Sequence, residues 1–276
     1  MRNVSSEILV NLAAVVIVFV ARLLGFDVYS RLIRIGRRTS MLARRTFGVR
    51  TVLLYTDCDD ELHTSRTLAL HIEKGMRTYG VKTRVLIAKN GTDLMRRPIS
   101  GPGLHAIILM LTDVTQFTTR ARIGEKFQDK LARFVHRGGC LFLGHDVIYR
   151  RTRNKRLQQL AGCTLDRFAQ LNRVVNYVRV DDGDRKSSDD ELLYNLPQVM
   201  SLGDNEVVIG SWKHDVEYLY RWQEDENVPL VTRRTVGIGK VYWLNSGDSN
   251  ALGPPRTLAK PDAQFVDMVV TLLRGH

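Results

Sequence analysis

Residues 134–146 read FVHRGGCLFLGHD, and this stretch decides the fold. Its second half, CLFLGHD (140–146), is too short and too apolar for a surface helix, and it ends in polar residues. Gly138-Gly139 stops the segment before it, an amphipathic helix over residues 121–136. A helix, a glycine stop and a continuous apolar strand form half of a βαβ unit. Continuous apolar strands belong to parallel sheets covered on both faces.

The same grammar extends outward. TVLLYTD (51–57), VKTRVLIA (81–88) and HAIILML (105–111) read as three earlier strands, with a helix over residues 61–79 closed by Gly80. Residues 154–161 read as a short helix. The β-α alternation predicts an open parallel α/β sheet. The second half differs. It has β-like runs at residues 174–180, 206–212, 228–233 and 240–245, and polar loops such as DDGDRKSSDDE (181–191). Gly237-x-Gly239 lacks the third glycine and helix of a dinucleotide fingerprint and reads as a hairpin turn. An amphipathic helix over residues 262–273 follows Pro261. The expectation is one α/β domain over residues 51–276 with a β-rich C-terminal extension.

At 276 residues the chain can bury a sizeable core without a disulfide or metal staple. With 44% hydrophobic and 25% charged residues it is neither disordered nor collagen-like. Three cysteines, at 58, 140 and 163, exclude a disulfide scaffold.

The net charge of +12 is unevenly placed. Residues 1–50 hold nine Arg and no Lys against only Glu7 and Asp27. Residues 8–21 are apolar except Asn11, and through Phe26 the stretch has 19 residues. As a helix that is about 28 Å, close to a hydrocarbon core of about 30 Å. Arg22 near its end would snorkel to the headgroups. The basic residues follow the apolar run and no small-x-small site is present, so a cleaved signal peptide fits poorly. The expectation is a single transmembrane helix within residues 1–27. Residues 28–50 then form a basic amphipathic juxtamembrane helix carrying Arg31, Arg34, Arg37, Arg38, Arg44, Arg45 and Arg50. The positive-inside rule places the bulk on the cytoplasmic side or its equivalent, a mitochondrial matrix. Anionic lipid suits this collar. Nucleic acid is disfavoured, because no aromatic interleaving or binding motif accompanies the arginines.

FVHRGGCLFLGHD (134–146) with LQQLAGC (157–163) resembles the class I glutamine amidotransferase-like superfamily, and within it the trehalose-utilisation (ThuA-like) domain. NLPQVMSLGDNE (195–206), VPLVTRRTVGIGKVYWLNSGD (228–248) and FVDMVVTLL (265–273) resemble later ThuA-like motifs in the same order. The resemblance implies a flavodoxin-like sheet. It also implies a degenerate active site. Leu143-Gly144-His145 follows Phe142, so Phe142 stands where amidotransferases carry the nucleophilic Cys, and a phenyl ring cannot form an acyl adduct. Cys140 shares the face of Phe142 but lies deeper, as a buried structural thiol. Two further family histidines are replaced, one by Asp248 and one within Lys186-Ser187-Ser188.

Ligands of open α/β sheets bind beyond the carboxyl ends of the strands. There the sequence offers Asp57, Asp59, Asp60, Asp113, His145 and Asp146. These suit general acid-base chemistry or a divalent cation, or else caps for the following helices. Arg150, Arg151, Arg153 and Arg156 are candidates for an anionic ligand. No metal and no cofactor is expected from any ligand spacing. Three functional readings follow. The first is a non-catalytic accessory subunit of a membrane complex, held by other protein subunits. The second is a membrane-tethered sensor for a small anion or nucleotide. The third is a sugar-directed hydrolase or isomerase using His145.

Overall fold

The computed structural model describes residues 48–56, 63–99, 103–111, 121–149, 154–180, 193–246 and 261–276. The chain divides into two compact units, Met1–Val49 and Arg50–His276. The expected transmembrane helix and nearly all of the basic collar lie outside the described residues. Among the described residues no helix is long and apolar enough to cross a membrane.

The second unit runs β1 (Arg50–Thr56), α1 (His63–Thr78), β2 (Thr83–Ile87), α2 (Gly91–Arg96), β3 (Leu104–Leu111), α3 (Ala121–His136) and β4 (Cys140–His145). A 3-10 turn (Asp146–Ile148) and α4 (Lys155–Ala161) follow. Next come β5 (Cys163–Gln170), β6 (Asn176–Arg179), β7 (Val199–Ser201), β8 (Glu206–Trp212), β9 (Glu217–Trp222), β10 (Pro229–Val236) and β11 (Gly239–Leu244), then α5 (Ala263–Arg274).

The main sheet has nine described strands in the order β2-β1-β3-β4-β11-β10-β9-β6-β7. The first five are parallel and reproduce the flavodoxin-like order, with β11 in fifth place. The β-rich half is therefore not an appendage. Through the β10–β11 hairpin it continues the same sheet in antiparallel sense. The hairpin turns at Gly237-Ile238, as expected, with Gly237 at φ 65°. Strands β5 and β8 pair apart, as a two-stranded antiparallel sheet.

Period-two alternation sorts the core into two layers. Leu54, Ile108, Cys140, Phe142 and Tyr242 face one side, where α1 and α5 cover them. Leu53, Ile107, Leu141, Leu143 and Trp243 face the other, under α3, α4 and the β5–β8 pair. Strand β4 pairs with β3 on one edge and β11 on the other, so it is enclosed on all four sides. Gly239 lets β11 start tightly beneath α3. A Cβ there would lie 2.1 Å from the Val135 carbonyl oxygen and 2.4 Å from that of Gly139.

Both of those neighbours are backbone atoms that cannot swing aside. Gly239→Ala is therefore expected to cost more than about 2 kcal/mol in urea unfolding. Gly80→Ala, at φ 74° with open space around it, should cost only about 1 kcal/mol of backbone strain. Equal losses would show that the close contact at residue 239 is wrong.

Candidate functional site

Strand directions place one rim. Parallel strands β1, β3, β4 and β11 end there at Thr56, Leu111, His145 and Leu244. Antiparallel pairing brings Pro229 of β10, Trp222 of β9, Asn176 of β6 and Ser201 of β7 to the same rim. His145 closes β4 with its backbone opposite Leu111, and Asp146 opens the 3-10 turn that follows. Asp57, Asp59, Asp60, Asp113, Arg150, Arg151 and Arg153 follow these strand ends in the chain and lie outside the described residues. So does Cys58, and so do the membrane-facing candidates Arg22, Arg31, Arg34, Arg37, Arg38, Arg44 and Arg45.

Arg156 is described. It sits in the first turn of α4, half exposed, 3.7 Å from Asp129 and donating to Gln159 Oε1 at 3.1 Å. This is a solvated ion pair worth little. Beside it a buried web holds the turn after His145. Asn154 donates to the Val147 carbonyl at 2.7 Å, Gln128 donates to Asn154 Oδ1 at 3.3 Å, and the Arg156 amide donates to Gln128 Oε1 at 3.1 Å.

Phe142 lies inside β4, which continues through Gly144 to His145, and is not on a strand-to-helix turn. Its ring is fully buried and stacked on Tyr242 at 4.9 Å between centroids. Cys140 is buried on the same face, as its spacing implied. Cys163 is also buried, and burial pushes its thiol well above the ordinary range. Neither thiol is poised as a nucleophile. Trp243 is fully buried, with its ring centroid 4.9 Å from that of Trp212.

The strongest polar feature of the rim was invisible in the sequence. Asp204 is 2% exposed and accepts hydrogen bonds from the Tyr177 hydroxyl and, at 3.0 Å, from the Ser246 hydroxyl. Asn245, also buried, donates to Tyr177 Oη at 3.2 Å and to the Glu206 carbonyl at 2.9 Å, and accepts from the Val208 amide at 2.9 Å. Strands β6 and β11 are three steps apart, about 14 Å in a flat sheet. The hydrogen bond between Tyr177 and Asn245 thus joins strands that are not neighbours in the sheet. The network is a latch that ties β6, β8 and the β7–β8 corner to the end of β11. Further along this rim, a cavity of about 490 Å³ is lined by Asn176, Met200, Ser201, Asp262 and Gln264 among others. It lies beside the start of α5 and away from Phe142.

No family model matches the chain, and no curated protein matches it. Solved structures do. A putative ThuA-like protein from Bacteroides uniformis aligns with TM-score 0.54 at 16% identity, over 82% of this chain and 90% of that one. A second, from Parabacteroides merdae, gives 0.52 at 12% identity, over 82% and 88%. A β-galactosidase from Bacillus circulans sp. alkalophilus gives 0.50 at 13% identity, and this chain spans 34% of its length. At such identities the likeness concerns the fold. The chain shares its fold with these ThuA-like proteins, a mixed sheet whose parallel half has the flavodoxin-like order.

The latch makes a stability prediction. Asp204→Ala strands two buried hydroxyls and should cost about 3 kcal/mol, while Tyr177→Phe should cost about 1–2 kcal/mol. Chemical denaturation of both variants checks this, and a neutral Asp204→Ala would contradict the network.

Proposed function

We propose that this chain is a membrane-tethered, non-catalytic member of the amidotransferase-like fold that serves as an accessory or scaffold subunit of a membrane protein complex. Its globular part lies on the cytoplasmic or matrix side. One observation carries the reading. Strand β4 passes through residue 142 as a buried ladder, with a phenyl ring packed on Tyr242 where the resemblance would put a reactive sulfur. The two described thiols sit in the core. The apolar run at residues 8–26 and the acid-free, arginine-rich stretch after it support the tether and its orientation. A fold does not carry a function by itself, so loss of a nucleophile is compatible with retention for assembly.

The test is purification of the full chain from its native membrane in mild detergent. The expected result is an assembly of fixed stoichiometry that His145→Ala leaves intact and fully functional. Turnover of a metabolite that disappears in a folded His145→Ala variant would overturn the reading in favour of acid-base chemistry at the end of β4.

A further inference from the structure

The opposite rim, where the parallel strands begin, has a composition of its own. Along the parallel half of the sheet it comprises Arg50, the α1–β2 turn at residues 77–84, the start of β3 at 103–105, the α3–β4 turn at 133–140, the β10–β11 turn at 236–240 and the end of α5 at 273–276. These segments hold Arg50, Arg77, Lys82, Arg84, Arg133, Arg137, Lys240 and Arg274, with His105, His136 and His276, and contain no Asp or Glu.

Part of this charge serves the fold. Arg50 and His105 approach the Leu273 carbonyl at 3.3 Å, and Lys240 donates to the Gly275 carbonyl at 3.2 Å, so these groups close the end of α5. Cations in the last turns of α1, α3 and α5 also answer the helix dipoles. The rest remains directed at solvent. Arg77, Lys82, Arg84, Arg133 and Arg137 are all exposed, and none is paired with a carboxylate among the described residues. The nearest acids inward are already engaged. Glu73 accepts from the Val85 amide at 2.7 Å, Asp215 from Arg234 at 2.7 Å, and Glu217 from Arg233 at 2.5 Å. An exposed Tyr79 stands in the middle of the cations, with the Arg274 guanidinium 3.5 Å above its ring.

Along the parallel half of the sheet the exposed charges of this rim thus share one sign, a distribution that orients a molecule on a charged surface. The chain also enters the domain at this cationic rim, through Arg50, from a stretch that is itself basic and acid-free.

We propose that the amino-terminal rim of the sheet is a docking face for an anionic phospholipid surface, with Arg77, Lys82, Arg84, Arg133 and Arg137 at the headgroups. The inference rests on the tethered reading for its choice of partner, and it assigns that partner to the folded domain itself. Exposed cations around an exposed tyrosine suit a headgroup layer. Single-stranded nucleic acid would want free aromatic faces in a groove, and Arg274 already covers one face of Tyr79.

Hydrogen exchange on the full chain tests it, with phosphatidylcholine vesicles and with vesicles that also contain phosphatidylserine. Each headgroup contact of about 1 kcal/mol corresponds to about fivefold, so residues 77–84 and 133–139 should exchange at least about fivefold more slowly on the anionic vesicles. The slowing should vanish in high salt, and in the variant Lys82→Glu/Arg84→Glu/Arg137→Glu, whose folding is checked by its melting curve. Exchange at residues 223–228 should be the same on both vesicles. Flotation with pure phosphatidylcholine reports the tether separately. A chain that floats there but shows equal rim exchange on both vesicles keeps its tether and loses this proposal. A chain that fails to float there but is protected on anionic vesicles keeps the docking face. Protection of the rim by an RNA oligonucleotide and not by anionic vesicles would also overturn it.

Discussion

Enclosure of β4 governs the molecule. Its backbone is paired on both edges, and its side chains alternate between two helical layers. Each residue from Cys140 to Leu143 is fully buried. Such a strand leaves no room for a polar side chain without a partner, and none for a thiol that must meet substrate. Burying Phe142 against Tyr242 stabilises the fold by about 2–3 kcal/mol, and the same burial removes the position from chemistry.

The two rims of the sheet have divided their roles. At the carboxyl end a buried carboxylate, two hydroxyls and an amide join strands that are not neighbours in the sheet. At the amino end of the parallel strands Arg77, Lys82, Arg84, Arg133 and Arg137 face water and share one sign. Buried networks specify shape because each unpaired member is costly, whereas exposed like charges specify orientation toward a partner.

The parallel half was legible in the sequence because its strands are buried on both faces and so read as unbroken apolar runs bounded by glycine. The antiparallel half was legible only in pieces. Strand β5, CTLDRFAQ, buries alternate residues around an irregularity near Asp166 and looks like a polar loop. Strand β7 has three residues, and β9, EYLYRW, mixes charge with aromatics at an edge of the core. The short helix α2 rests on the Asn90 cap, whose side chain accepts from the Asp93 amide. The latch could not be read at all, since Tyr177, Asp204 and Ser246 come together only through topology. The expected rim acids at 57, 59, 60 and 113 and the arginines at 150, 151 and 153 belong to connections that the described residues do not include. The cationic rim was hidden for a different reason: its residues are scattered over six segments and form a set only once the strand directions are known.

Residue-resolved alkylation of the native protein tests the central claim most directly. If β4 is a sealed strand, iodoacetamide at mildly alkaline pH leaves Cys140 and Cys163 unmodified over hours, and both react within minutes once denaturant is added. Rapid modification of Cys140 in the folded chain would mean that a reactive sulfur reaches solvent from this strand, and the account of a fold without its nucleophile would be contradicted.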